Sequence, residues 1–249
     1  MEKNQKVMHK FGLIGKNISY SFSENYFTKK FKTLGLNNHE YCTYDIESLQ
    51  DFPNIIDQDI MGLNVTIPYK EKIIDFLDEM DEEALKIGAV NTIKIIKNNK
   101  LKGFNTDVYG FEKSLKPLLE TYHKKALILG TGGASKAVAF VLQKLNIDYT
   151  IVSRNPNNDQ ISYRDLTKDI LKNYKIIINC TPLGTFPEVN TFPDLPYQFL
   201  SEKYLLYDLI YNPAKTRFLC EGEKGGATIH NGLKMLELQA EKSWEIWNL

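Results

Sequence analysis

Apolar residues along the chain fall into short runs bounded by Gly, Pro, Asn or Asp, and these alternate with stretches in which they recur at helical spacing. The runs predict strands over Lys10–Gly15, His39–Ile46 and Met61–Ile67, the last stopped by Pro68. Val90–Ile96 and Leu101–Phe104 flank the pair Asn98-Asn99 and read as a hairpin. Further strands are predicted over Ala126–Leu129, Tyr149–Ser153, Ile176–Asn179, Leu205–Ile210 and Ala227–His230. Helical spacing covers Ser23–Leu34, Lys70–Leu77, a segment from Asn105 or Thr106 to about Tyr122, Ser135–Leu145 and Leu233–Trp247. Strand-then-helix repetition predicts an α/β protein with parallel sheets covered by helices. Two such series, joined by the helix that begins near Asp107, predict two α/β domains.

Composition narrows the picture. The chain has 249 residues, 43% of them hydrophobic and 25% charged, which is ordinary for a soluble globular protein. Its 31 basic and 31 acidic residues cancel, so no net charge draws it to nucleic acid or to an anionic membrane. No apolar run approaches the ~20 residues that a membrane-spanning helix needs. Cys42, Cys180 and Cys220 are scattered and form no CxxC pair, so neither a zinc site nor a disulfide framework is expected, and no metal is. Met1–Lys10 is polar and lysine-rich with no apolar stretch behind it, and the expected compartment is the cytoplasm.

The most legible chemistry is Leu129-Gly130-Thr131-Gly132-Gly133-Ala134-Ser135, which follows an apolar strand and opens a helix. That context turns a glycine-rich segment into a dinucleotide fingerprint. Gly130 permits the tight turn, Gly132 lets backbone amides approach a pyrophosphate, and Ser135 is small where helix and strand meet. A plain turn without a ligand is the alternative. The next strand ends Val152-Ser153-Arg154 with no acid to accept a ribose 2′-hydroxyl. An arginine there pairs with a 2′-phosphate, so NADP is favoured over NAD; a solvated surface arginine is the alternative.

In the first half, Asn64 and Thr66 share one face of an alternating strand, and Lys70 follows Pro68 at the expected start of a helix. A lysine at a helix N-terminus opposes the macrodipole, which suits a proton-transfer group. Asn91 and Asp107, at the mouths of a strand and a helix, are further candidates. Each has a bland reading: Asn91 satisfies a turn, Asp107 caps a helix, Lys70 is solvated.

Taken together, eight segments in order make the chain resemble the shikimate dehydrogenase family along nearly its whole length. They are Gly12-Leu-Ile-Gly15 with Ser21-Phe-Ser23, Gly62-Leu-Asn-Val-Thr-Ile-Pro-Tyr-Lys70, Gly88-Ala-Val-Asn-Thr92, Asn105-Thr-Asp107, Gly130-Thr-Gly-Gly-Ala-Ser135, Ile178-Asn-Cys-Thr181, Tyr207-Asp-Leu-Ile-Tyr-Asn212 and Asn231-Gly-Leu-Lys-Met-Leu-Glu-Leu-Gln239. The resemblance implies a substrate domain with a mixed sheet (1–106 plus 233–249) and a Rossmann-like NADP-binding domain (107–232), joined by helices with a cleft between them. It implies reversible NADP-dependent reduction of 3-dehydroshikimate to shikimate in aromatic amino-acid biosynthesis. By the same resemblance Lys70 and Asp107 are the catalytic pair. Ser21, Ser23 and Tyr211 hold the substrate carboxylate; Asn64, Thr66, Asn91 and Gln239 bond its hydroxyls or carboxylate. Gly130, Gly132, Gly133, Ala134 and Ser135 form the phosphate loop, Ser153 and Arg154 the adenosine side, and Asn179, Thr181 and Gly232 line the rest of the cofactor site. The expected partner is thus a small molecule, without nucleic acid or membrane, and the protein is expected as a monomer or homodimer.

Two departures stand out. The family's His-Ser-x-Ser-Pro reads Tyr20-Ser21-Phe22-Ser23-Glu24 here, and uncharged Asn157 and Asn158 follow Ser153-Arg154-Asn155-Pro156 where a second basic residue is usual. The alternatives are therefore a sister dehydrogenase acting on quinate or using NAD, and an idle NADP-binding sensor.

Overall fold

Two six-stranded sheets organise the chain, whose structure is a computed structural model describing residues 7–19, 21–56, 59–157 and 159–249. Packing divides it into two compact units: residues up to Thr106 together with Ala240–Leu249, and Asp107–Gln239. The division falls inside the last helix rather than ahead of Leu233.

The first unit carries β1 (His9–Gly15), α1 (Phe22–Thr33), β2 (His39–Asp45), α2 (Phe52–Ile56), β3 (Ile60–Val65), β4 (Glu79–Met80), α3 (Glu82–Ile87), β5 (Thr92–Ile95) and β6 (Leu101–Phe104). The sheet order is β2-β1-β3-β5-β6-β4. β1 runs parallel to β2 and β3, whereas β5 is antiparallel to β3 and β6, so the sheet is mixed. Alternation along β1 sends Ile14 into a core with Leu63, Ile73, Val90 and Ile93. It sends Phe11 and Leu13 to the other face, against Phe27, Phe31, Tyr41, Ala240 and Trp247. The expected hairpin forms, and Asn98 and Asn99 turn it with φ of 63° and 57°, a left-handed conformation that asparagine tolerates.

The second unit carries α4 (Thr106–Leu115, from Asp107 onward), β7 (Lys125–Leu129), α5 (Gly133–Lys144), β8 (Asp148–Ser153), β9 (Gln160–Ser162), α6 (Lys168–Leu171), β10 (Ile176–Asn179), β11 (Leu205–Asp208), α7 (Arg217–Lys224), β12 (Thr228–His230) and the first half of α8 (Leu233–Asn248). All its strands are parallel, in the order β12-β11-β10-β7-β8-β9. The chain winds outward from β7 to β9, then restarts at β10 on the other side of β7. That is the doubly wound dinucleotide-binding order, with its switch point between β7 and β10. Ala126–Leu129 and Ile176–Ile178 are completely buried, as strands covered on both faces must be.

Two expected helices come out shorter. Lys70–Leu77 forms only a 3-10 segment over Lys72–Phe76, and the helix expected to reach Tyr122 ends at Leu115 before a 3-10 turn at Lys116–Leu118, which contains Pro117. Among the described residues no helix is long and apolar enough to cross a membrane.

Candidate functional site

In the first unit, register brings the sequence-predicted residues to one end of the sheet. β1 and β3 are parallel and end together, Ile14 beside Val65. β5 is antiparallel to β3, so it starts where β3 finishes, with Thr92 opposite Asn64. The loops holding Ser21 and Ser23, Thr66 and Lys70, and Asn91 therefore gather at that end. A Cβ on Gly15 would sit 2.6 Å from Thr66 Cγ2, so the glycine lets these exits press together. Lys70 lies in a turn, its carbonyl accepting the Val90 N–H at 2.7 Å. Since the segment after it is a short 3-10 turn, the helix-dipole argument for this lysine does not hold.

Two carboxylates hold the serine loop. Asp45, at the end of β2, accepts the backbone N–H groups of Asn17 at 2.7 Å and Ile18 at 3.0 Å. The Ile18 carbonyl in turn accepts the Ser21 N–H at 2.9 Å. Ser21 caps α1 by accepting the Ser23 N–H, and Glu24 accepts the Thr43 hydroxyl at 2.6 Å. Tyr20, the other departure in this loop, lies outside the described residues, as does Asn158 in the later one.

Behind the loops is a buried polar cluster. Tyr41 Oη donates to Asn64 Oδ1 at 2.8 Å, and Asn64 Nδ2 donates to Ser243 Oγ at 2.9 Å and Thr92 Oγ1 at 3.2 Å. Burial drives the Tyr41 phenol well above its ordinary range, despite a hydrogen bond with Ser23. The Asn64 amide is thus engaged on both its oxygen and its nitrogen inside the protein. These bonds fix the orientation of its side chain. Asn91 Oδ1 accepts the Thr106 N–H at 2.7 Å and the hydroxyls of Thr92 and Thr106 at 3.1 Å each.

In the second unit every strand is parallel, so the loops after β7, β8, β10, β11 and β12 share one end. Gly130 has φ of +100°, and a Cβ there would lie 3.0 Å from Thr181 Cγ2 and 3.3 Å from the Cys180 carbonyl oxygen. That contact ties the glycine turn to the loop after β10, at the switch point. Gly132 precedes α5 with no atom within 4 Å of the place a Cβ would occupy, and no side chain caps the helix. The uncapped amides and the open cradle suit a phosphate group. Gly133 and Ala134 form the first turn, and Ser135 locks it by donating its hydroxyl to the Gly132 carbonyl at 2.6 Å.

Arg154 is exposed at the exit of β8, where Ser153 Oγ accepts the Asn155 N–H. Its charge acts on Tyr163, whose phenol burial pushes up to about 12. Asn179, completely buried, accepts the Thr181 N–H and hydroxyl at 3.0 and 2.6 Å and donates to Asp208 Oδ1 at 3.0 Å. It therefore builds the turn that presents Thr181.

Asp208 also accepts the Thr216 hydroxyl at 2.5 Å and the Ile210 N–H at 3.1 Å, fixing the strand exit that leads to Tyr211. A Cβ on Gly232 would meet the Leu209 carbonyl oxygen at 2.0 Å, so only glycine permits this approach of β12 to β11. Asp107 is buried in the first turn of α4. Gly110, next along that helix, lets the Met235 carbonyl and Gln239 pack against it. Among the described residues no cluster of His, Cys, Asp or Glu could hold a metal.

Sequence reading missed Tyr41, Ser243 and Asp208 as site builders. Ser243 follows Gln239 by four residues, a helical repeat that could have marked it, whereas nothing near Tyr41 marks it as polar core.

A doubly wound parallel sheet with a glycine turn at its switch point defines a Rossmann-type α/β protein. The comparisons narrow the class. The family model "Shikimate dehydrogenase substrate binding domain" matches residues 13–93. A protein of Methanococcus maripaludis, "Shikimate dehydrogenase (NADP(+))", is 40% identical over 95% of this chain and 90% of its own length. A shikimate dehydrogenase crystallised in complex with NADP+ superposes with a TM-score of 0.84 at 35% identity, covering 96% of this chain and 90% of that one. The Thermus thermophilus shikimate 5-dehydrogenase, in complex with NADP(H) and shikimate, gives 0.84 at 30% identity, covering 96% and 93%. The chain belongs to the shikimate dehydrogenase family.

Proposed function

We propose that this chain catalyses the reversible, NADP-dependent reduction of 3-dehydroshikimate to shikimate, a step in making aromatic amino acids. The observation that carries the proposal is the 40% identity to an NADP-dependent shikimate dehydrogenase across 95% of the chain, supported by the site residues that the resemblance names from Ser21 to Gln239. NADPH supplies hydride when bound. Gly130, Gly132, Gly133 and Ala134 give the backbone cradle for its phosphates, Ser135 and Asn179 hold that cradle in shape, and Thr181 and Gly232 line it. Ser153 and Arg154 receive the adenosine side, the guanidinium pairing with the 2′-phosphate.

Ser21, Ser23 and Tyr211 bind the substrate carboxylate through uncharged donors, and Thr66, Asn91 and Gln239 bond the ring oxygens. Lys70 donates a proton to the carbonyl oxygen as charge develops there, with Asp107 as its catalytic partner. In the first domain Asn64 acts by holding the groups that touch substrate. The protein is proposed to work in the cytoplasm, as a monomer or homodimer.

Absorbance of reduced nicotinamide tests the proposal with shikimate or quinate and either NADP or NAD. Turnover is expected with shikimate and NADP and little with the other pairs; tight NADP binding without turnover would overturn it. Lys70→Ala is expected to lower kcat by at least about 10²-fold with little change in the KM for shikimate.

A further inference from the structure

One face of β2 carries Tyr41, Thr43 and Asp45, alternate residues that each hold a group outside the strand. Tyr41 donates to Asn64, and Thr43 donates to Glu24 in the first turn of α1. Asp45 accepts the backbone N–H groups of Asn17 and Ile18, one on each carboxylate oxygen, at 2.7 and 3.0 Å. Asn17 has a left-handed φ of 58°, and successive N–H groups turned toward one place in this way form a nest for an anion. From the nest the path to Ser21 is made of backbone donors, whose direction cannot reverse. The Ile18 carbonyl accepts the Ser21 N–H at 2.9 Å, and Ser21 Oγ accepts the Ser23 N–H at 3.2 Å as the cap of α1. Packing of the Ile18 side chain in the core fixes where that residue lies, whereas the bonds to Asp45 fix how its peptide plane is turned.

We infer that Asp45 is a positioning residue for the substrate carboxylate: it fills the nest at Asn17 and Ile18 and so sets the turn that presents Ser21. This rests on the proposed shikimate reaction, in which Ser21 binds that carboxylate. The sign of the effect separates positioning from charge. A negative group near an anion's site repels the anion, so Asp45 acting by charge alone would weaken shikimate binding, and neutralising it would lower the KM. Acting through the turn, it strengthens binding, and neutralising it raises the KM. Asparagine in its place keeps one acceptor oxygen, but its NH₂ group meets the second N–H as donor against donor.

The test compares wild type with Asp45→Asn by two readouts. Initial rates with shikimate and NADP should show a KM for shikimate raised about five- to tenfold, the scale of one hydrogen bond, with kcat and the KM for NADP within about twofold. With the methyl ester of shikimate, which lacks the anionic carboxylate, the same substitution should change the KM less than about twofold, because its effect passes through that group. The second readout is backbone hydrogen exchange of peptides spanning 15–23, followed by mass spectrometry in protein without ligand; it should be faster in Asp45→Asn. An unchanged or lowered KM for shikimate, an equal rise with the ester, or unchanged exchange would overturn the inference. If wild type fails to turn over shikimate, the proposed reaction falls while the exchange still reads the anchoring of the turn. If Asp45→Asn does not fold, Asp45→Glu keeps the charge, carries the carboxylate one methylene past the two N–H groups, and is held to the same expectations.

Discussion

Arg154 shows how far a single residue can be read. Its place after β8, with no acid at the strand tip, was legible in the sequence, and the structure leaves its side chain exposed at that exit. Removing it should affect only the cofactor with a 2′-phosphate. Arg154→Ala is expected to raise the KM for NADP by about tenfold or more, as a charge-assisted bond of roughly 1.5–3 kcal/mol requires, and to change the KM for NAD little. Initial rates with the two cofactors check this. Other residues were legible in identity but not in the partners that hold them. Asn64 and Asn179 stood out as polar residues on strands, yet whether a side-chain amide faces a ligand or the core depends on partners far away in sequence, Tyr41 and Ser243 for one and Asp208 for the other. Lys70 was placed correctly in the chain, but the dipole argument failed because its expected helix is a brief 3-10 turn.

At the scale of elements, strands buried on both faces were the easiest to read, since continuous apolar runs leave few alternatives. Ile176–Asn179 was predicted with the bounds it has. Short edge strands β4 and β9 and short helices α2, α3, α6 and α7 escaped, because two to eight residues carry too few repeats of any period. The glycines at element ends separate into two kinds. Gly132→Ala puts a methyl group into open space and should leave the melting temperature within about a degree or two while weakening NADP binding about tenfold or more. Gly232→Ala drives a Cβ against the Leu209 carbonyl and should cost stability on the order of 2 kcal/mol or more, seen as a melting temperature lower by several degrees. Thermal melts and NADP titration of the two variants check the contrast.

For the molecule as a whole, Asp208 is an internal source of pH-dependent stability. Burial raises the Asp208 carboxyl to about 6, against the opposing bonds from Thr216, Ile210 and Asn179. The folded state therefore holds a proton that the unfolded chain has released above about 3.8. This contribution is fully present below that value and is lost as pH rises through about 6. Across that window wild type should lose on the order of 3 kcal/mol relative to Asp208→Asn, which stays neutral, and urea denaturation of both proteins from pH 4 to 7 measures the difference. The two-domain α/β plan was legible in the order of strands and helices; the point at which α8 changes allegiance was not, since one helical period runs unbroken through it. That point has a consequence for folding. Ala240, Ser243 and Trp247 belong to the unit that also holds the strands nearest the start of the chain. The first unit therefore closes its core across a loop of more than a hundred residues, which costs more chain entropy than any contact inside Asp107–Gln239. Cutting the chain between Gln239 and Ala240 would leave the whole segment of the nucleotide fold intact while stripping Trp247 from the aromatic face of the first sheet.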